Sequence, residues 1–109
     1  MEARLFLLQR GSAMLLALLT LVHLVVIFLA IRGGLSAEEI LGRTRGSLLW
    51  GLIYGVFVLS VTVHAPIGLR AILREWTPLQ ASRCNLVALG LAALLLILGL
   101  RAVYAVVVP

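Results

Sequence analysis

The sequence predicts an all-α protein, an integral membrane bundle of three transmembrane helices. The first observation is composition, because 63% of the 109 residues are hydrophobic and only 12% are charged. A soluble domain is roughly 45–50% apolar and about 25% charged. The second observation is the distribution of charge, which leaves three long apolar runs. Together they exclude a water-soluble globular domain and a disordered chain.

Each apolar run is long enough to cross a bilayer once. The first covers residues 11–31, the second about 47–73 with no charge before Arg70, and the third about 85–108 with only Arg101 inside it. A bilayer core of about 30 Å needs roughly 20 helical residues. The first run exceeds the roughly 7–15 apolar residues of a signal peptide, so we expect it to be retained. We therefore predict a single transmembrane domain over residues 1–109, with helices at about 11–31, 47–73 and 85–108.

The connections between the runs are short and polar. Ser36 is a predicted helix N-cap with Glu39 as its capping-box partner, which indicates a short interfacial helix ending near Gly42. In the second connection, Trp76 suits the headgroup level and Pro78 prevents the helix from continuing. Gly51 and Gly55 form a small-xxx-small pattern that predicts close packing between helices.

The charges indicate topology rather than a nucleic-acid partner, because the arginines lie at the ends of the apolar runs. The formal net charge is +5, from nine basic and four acidic residues, and the chain contains neither Lys nor Asp. Three crossings place five arginines with the N-terminus and four on the other side. The positive-inside rule then predicts a cytoplasmic N-terminus. The five are Arg4, Arg10, Arg70, Arg74 and Arg83, and the four are Arg32, Arg43, Arg45 and Arg101.

Two histidines, His23 and His64, lie inside predicted spans. A buried imidazole in a bilayer needs a partner, because an unsatisfied polar group there costs several kcal/mol. One interpretation is an interhelical hydrogen bond to Ser, Thr or a backbone carbonyl. The other is axial ligation of haem iron, for which neutral imidazole is suited.

The residues after His64 favour the haem interpretation. Gly68 is one turn further on the same face and has no side chain to obstruct a flat macrocycle. Arg70 follows near the interface, where its guanidinium can pair with a haem propionate. In the first helix, Arg10 and Ser12 place a guanidinium and a hydroxyl at the interface, which suits the carbonyl of a quinone. For that pair the alternative is a snorkelling Arg and a capping Ser.

These motifs occur in an order that resembles the membrane-anchor cytochrome b subunits of succinate dehydrogenase and fumarate reductase. The matching segments are QRGSA at residues 9–13, GSLLWG at 46–51 and HAPIGLR at 64–70, with Glu75 in place of the family's acidic residue. The resemblance covers about residues 5–76. The chain departs from the family at Ala71, where many members have His, and at Phe6, where many have Ser.

The resemblance implies a subunit that is not catalytic by itself. It would anchor a flavoprotein subunit and an iron–sulfur subunit at the inner (cytoplasmic) membrane and pack with a second membrane-anchor chain in the lipid bilayer. Electrons would pass between the iron–sulfur clusters and a quinone. His64 would match the axial ligand of a b haem, Arg70 and Gly68 would lie beside the haem, and Arg10 and Ser12 would lie at or near the quinone pocket.

The second axial ligand has two possible sources. If Arg10 and Arg74 lie at one interface, His23 is about 20 Å deep and His64 about 15 Å deep at 1.5 Å per residue. We therefore favour a second ligand from the partner chain over an arrangement in which His23 and His64 bind the same haem. In two-haem relatives the first-helix His binds the deeper haem, and His23 would match that residue.

A rival function is a haem-free, non-catalytic anchor or a small transporter subunit. A proton-coupled carrier normally has an intramembrane carboxylate. The four glutamates of this chain lie outside the predicted spans, which disfavours the transporter.

Overall fold

The computed structural model describes residues 2–108, which form four α-helices and no strand. They are α1 (Ala3–Gly33), α2 (Ala37–Thr44), α3 (Leu48–Trp76) and α4 (Ala81–Val107). Three of them, α1, α3 and α4, are long and apolar enough to cross a membrane, which confirms the predicted three-span, all-α class. The bundle measures 48 × 22 × 22 Å. Its length exceeds the roughly 30 Å hydrocarbon core, so the helix ends reach the headgroup layers.

The three spanning helices extend beyond the predicted apolar runs at four of their six ends. α1 begins at Ala3 and α4 at Ala81, so Arg4, Arg10 and Arg83 lie in helical turns. A charge at an interface does not break a helix, and the observed ends occur at caps and at residues that leave helical geometry. α3 begins after Ser47, whose hydroxyl accepts a hydrogen bond from the backbone N–H of Trp50 at 3.2 Å.

The central helix of the bundle is α3, which packs against α1 on one side and α4 on the other. Close approach of α3 and α4 depends on Gly51 and Gly99. A Cβ at Gly51 would lie 3.2 Å from Cγ1 of Val107, and one at Gly99 would lie 2.5 Å from Cγ1 of Val58. A Cβ at Gly55 would have no described neighbour within 4 Å. Of the two glycines in the predicted pattern, Gly51 therefore permits close packing of α3 against α4, and Gly55 does not contribute to it. The second close contact is at Gly99 of α4.

The short helix α2 is tied to the C-terminal end of α4. The Thr44 hydroxyl donates a hydrogen bond to the carbonyl of Val106 at 2.6 Å, and the backbone N–H of Gly46 donates to the carbonyl of Val107 at 2.6 Å. The last carbonyls of a helix have no intrahelical partner. The connection between α1 and α3 therefore caps α4, and α2 lies across that end of the bundle.

The predicted N-cap of α2 is confirmed. The Ser36 hydroxyl accepts from the backbone N–H of Glu39 at 3.2 Å and donates to the Glu39 carboxylate at 2.7 Å. This arrangement folds the Glu39 carboxylate over Gly34, where a Cβ would collide with it. Gly34 also has a φ of 122°, which residues with a side chain rarely adopt.

We expect Gly34→Ala to lower the stability of the protein. The backbone conformation alone costs on the order of 1–3 kcal/mol for a residue with a side chain, and displacement of Glu39 adds to it. The measurement is the thermal unfolding midpoint in detergent. Gly42→Ala is the matched control, because Gly42 lies inside α2 with open space around it, and alanine there favours the helix. Equal effects of the two substitutions would contradict a special role for Gly34.

Candidate functional site

The structure brings His64 of α3 next to Ser12 of α1. The Ser12 Oγ lies 3.4 Å from Nδ1 of His64, a long hydrogen-bonding distance, and the same hydroxyl lies 3.1 Å from the carbonyl oxygen of Gln9. Ser12 is 7% exposed, so this contact is shielded from the surroundings. Among the predicted site residues, His64 and Ser12 are the pair in direct contact.

Gly68 is covered by a side chain of α1. A Cβ at Gly68 would lie 3.3 Å from Nε2 of Gln9, so the Gln9 amide lies over the glycine. The Oε1 of Gln9 is buried without a hydrogen-bond partner in residues 2–108. Within this chain, the space beside Gly68 is therefore used by an amide rather than left open.

Arg70 links α3 to α4. Its Nε donates a hydrogen bond to Oδ1 of Asn85 at 2.5 Å. A guanidinium carries five N–H donors, and this contact uses one of them. Arg70 is partly exposed, so the remaining donors can reach an anionic group at the same end of the bundle.

Arg10 and Ser12 lie on different faces of α1. Ser12 is buried against α3, whereas Arg10 is exposed and its guanidinium lies over the ring of Phe6, 5.7 Å from the centroid. Residues two apart in a helix do not face each other. The structure therefore does not bring this predicted pair together around one point.

The register of α1 against α3 separates the two histidines. Ser12 lies opposite His64 and Gln9 opposite Gly68, whereas the ring of His23 packs edge-on against Tyr54 and Phe57. The ring centroids lie 6.1 Å apart for Tyr54 and 5.5 Å apart for Phe57. Phe57 and Tyr54 are seven and ten residues from His64 along α3, which is about 10–15 Å at 1.5 Å per residue. His23 and His64 therefore lie at different depths.

His23 lines a cavity of about 440 Å³ between the three spanning helices, with α2 at one end. Its Nδ1 is buried and has no hydrogen-bond partner in residues 2–108. Trp50 stacks on Tyr54 at 5.5 Å in the cavity wall. The aromatic residues were not among the predicted site residues, although positions 50, 54 and 57 follow the i, i+4, i+7 spacing of one helix face.

The described residues thus define an integral membrane protein with three spanning helices and an imidazole at each of two depths. No group of three or more His, Cys, Asp or Glu residues that could hold a metal ion occurs in the described part of the chain. A single imidazole can still supply one axial ligand.

The family model of the succinate dehydrogenase/fumarate reductase transmembrane subunit matches residues 1–100. The chain belongs to this family, which confirms the resemblance found in its motifs. Comparison with curated proteins gives no match, and comparison with solved structures gives none.

Proposed function

We propose that this chain anchors a flavoprotein subunit and an iron–sulfur subunit to the inner membrane, binds b haem through His64, and helps to form a quinone site. The contact between Ser12 and His64 carries the haem part of the proposal. Family membership supports the anchoring role, because this family comprises the membrane subunits of such complexes.

The Ser12 hydroxyl determines which nitrogen of His64 can bind a metal. A hydroxyl has one proton, and the shorter contact of Ser12 Oγ is with the carbonyl oxygen of Gln9. The proton therefore goes to Gln9, and Nδ1–H of His64 donates to Ser12 Oγ. The lone pair is then on Nε2, which has no hydrogen bond within residues 2–108. Metal-binding histidines commonly donate their other ring N–H in this way.

The second axial ligand comes from the partner anchor chain in this proposal. His23 lies about 10–15 Å from the level of His64 along the helices, which is too far for both rings to bind one iron. When bound, a b haem supplies a one-electron redox centre inside the bilayer. The propionates of such a haem are anionic, and the partly exposed Arg70 is a cation at the appropriate end of α3.

The quinone part of the proposal assigns different roles to Arg10 and Ser12. Arg10 is exposed on the outer face of α1, where a quinone headgroup can reach it. Ser12 is buried against His64 and acts through that residue, as a positioning residue.

A haem-free anchor is the alternative, and the same contact is compatible with it. The hydrogen bond from Nδ1–H of His64 to Ser12 Oγ gives this imidazole a partner whether or not a metal is present. A transporter subunit is less consistent with the chain, because all four glutamates are exposed, with none inside the bundle. A reduced-minus-oxidised difference spectrum of the purified complex distinguishes a haem-binding anchor from a haem-free anchor. A b-type α-band supports the cytochrome, and its absence from the intact complex contradicts it.

Ser12→Ala tests the positioning role. We expect the variant to keep a b-type spectrum but to bind haem about tenfold more weakly, a typical effect of losing a partner of a metal ligand. Ser60→Ala is the matched control, because Ser60 is also buried and bonds to Val56 of its own helix at 2.8 Å. Haem affinity that falls equally in both variants would identify Ser12 as merely structural.

Accessibility of introduced cysteines tests the proposed topology. With a cytoplasmic N-terminus, a Cys in Glu75→Cys reacts with a membrane-impermeant maleimide only after cell lysis, and one in Glu38→Cys reacts in intact cells. Both positions are exposed, and the native Cys84 is fully buried, which keeps the background low. The reverse pattern of labelling would place the N-terminus outside.

A further inference from the structure

The cavity beside His23 has the size and lining of a ligand site that the proposed function does not use. Its volume of about 440 Å³ lies within the roughly 300–1,000 Å³ of small-molecule sites. Its walls come from all three spanning helices and are almost entirely apolar, with Val26, Phe57 and Val103 as examples. An apolar interior of this kind suits a hydrocarbon chain.

The end of the cavity that α2 covers carries a cation. Arg43 of α2 lines it, and its Nη2 donates one hydrogen bond to the carbonyl of Gly34 at 3.2 Å. The guanidinium has five N–H donors, so most remain for a ligand. Thr44, the neighbouring polar residue, already uses its hydroxyl to cap α4. A planar guanidinium matches the oxygens of a phosphate group in a two-point geometry.

The position of Arg43 places this cation at the level of lipid headgroups. α2 joins the end of α1 to the start of α3, so it lies where the spanning helices leave the hydrocarbon. The site thus has a phosphate-binding group at the interface and an apolar cavity directed into the bilayer. We propose that the cavity holds an acyl chain of an anionic phospholipid whose phosphate is bound by Arg43.

Size and charge favour a lipid over the other occupants. A helix with its side chains is about 10–12 Å across and rises 5.4 Å per turn, so the cavity has room for about one turn of a partner helix. Such a helix would also need a carboxylate to match Arg43. Inorganic phosphate would match Arg43 but would leave the apolar interior unfilled. The proposal does not depend on haem or quinone, so it can fail or succeed independently of them.

Native mass spectrometry of the intact complex tests the proposal. The complex is purified in detergent, depleted of lipid and titrated with dioleoylphosphatidylglycerol or, separately, dioleoylphosphatidylcholine. We expect the wild-type complex to retain one more phosphatidylglycerol than the Arg43→Gln complex, with an affinity about tenfold higher, which corresponds to about 1.4 kcal/mol. Arg45→Gln is the matched control, because Arg45 is exposed and does not line the cavity.

Two further variants and one competitor keep the test decisive. Arg43→Lys should partly restore retention, which shows that the loss comes from charge rather than misfolding. Ala102→Phe, which adds a ring at the cavity wall and leaves Arg43 intact, should lose the lipid. Equal retention of the two lipids, retention by Ala102→Phe, or displacement by excess inorganic phosphate at constant ionic strength would overturn the proposal.

Discussion

Replacing His64 with alanine is expected to abolish the b-type spectrum of the complex. The substitution removes the imidazole whose Nδ1 lies beside Ser12 and whose Nε2 is the proposed ligand. No other described residue can replace it, because His23 lies at the level of Tyr54 and Phe57. The measurement is the reduced-minus-oxidised difference spectrum, with flavin-dependent reduction of an artificial acceptor measured on the same preparation.

The artificial-acceptor activity should change far less than the spectrum, since in the proposed complex that chemistry belongs to the partner subunits. Thr62→Ala is the matched control. Thr62 is two residues away on α3, and its buried hydroxyl has no hydrogen-bond partner in residues 2–108, so its loss removes a polar atom without removing a possible ligand. An unchanged α-band in His64→Ala would show that His64 does not bind the iron.

Replacing Arg10 with leucine is expected to lower quinone turnover by at least about tenfold, the effect of roughly 1.4 kcal/mol on a barrier. Reduction of a quinone places negative charge on its carbonyl oxygens. A fixed guanidinium stabilises that charge, and more strongly where water is scarce. Arg10 is exposed near the start of α1, and the next cation along this helix is Arg4, more than one turn away.

Arg4→Leu is the control for the loss of a positive charge from the same end of α1. It should leave quinone turnover near the wild-type value, and haem content should survive both substitutions. The assay compares succinate- or quinol-linked activity with artificial-acceptor activity. A parallel fall of both activities in Arg10→Leu would mean that Arg10 supports assembly instead, and an unchanged quinone activity would place the site on the partner chain.

The sequence alone predicts the three spans and the cap of α2, because these features depend on local patterns. Run length decides whether a helix can cross a bilayer, and the Ser36–Glu39 spacing decides where α2 begins. The relative depth of the helices depends on contacts between them and is not local. Placing Arg10 and Arg74 at one level predicts depths of about 20 Å for His23 and about 15 Å for His64, about one helical turn apart.

The observed contacts give a different register. Ser12 opposite His64 and Gln9 opposite Gly68 place Arg4, rather than Arg10, near the level of Arg74. Measured from that level, His23 is 19 residues in and His64 is 10, which correspond to about 28 Å and about 15 Å. Run length and charge cannot supply such a register, since it follows from which side chains fit between two particular helices.

The cavity beside His23 likewise could not be predicted from local sequence patterns. The spacing of Trp50, Tyr54 and Phe57 indicates one aromatic face of α3, but an aromatic face is usually filled by a neighbouring helix. Whether a space remains depends on how α2 and α4 close around it. The connection that caps α4 through Thr44 also places Arg43 at the α2 end of the cavity. This placement follows from tertiary contacts and not from a local sequence pattern.

Because α1 packs against α3, which follows it in the chain, α1 is synthesised before its packing partner exists. α1 is complete at Gly33, but the helix it packs against ends at Trp76, which is 43 residues later. Protein synthesis adds about 5–20 residues per second, so the ribosome needs roughly two to nine seconds to complete α3 after α1. During that time the polar atoms of Gln9, Ser12 and His23 have no α3 to cover them. The most apolar segment of α1 has a higher mean hydropathy than the corresponding segments of α3 and α4, and this property helps a helix to remain in lipid until α3 is synthesised.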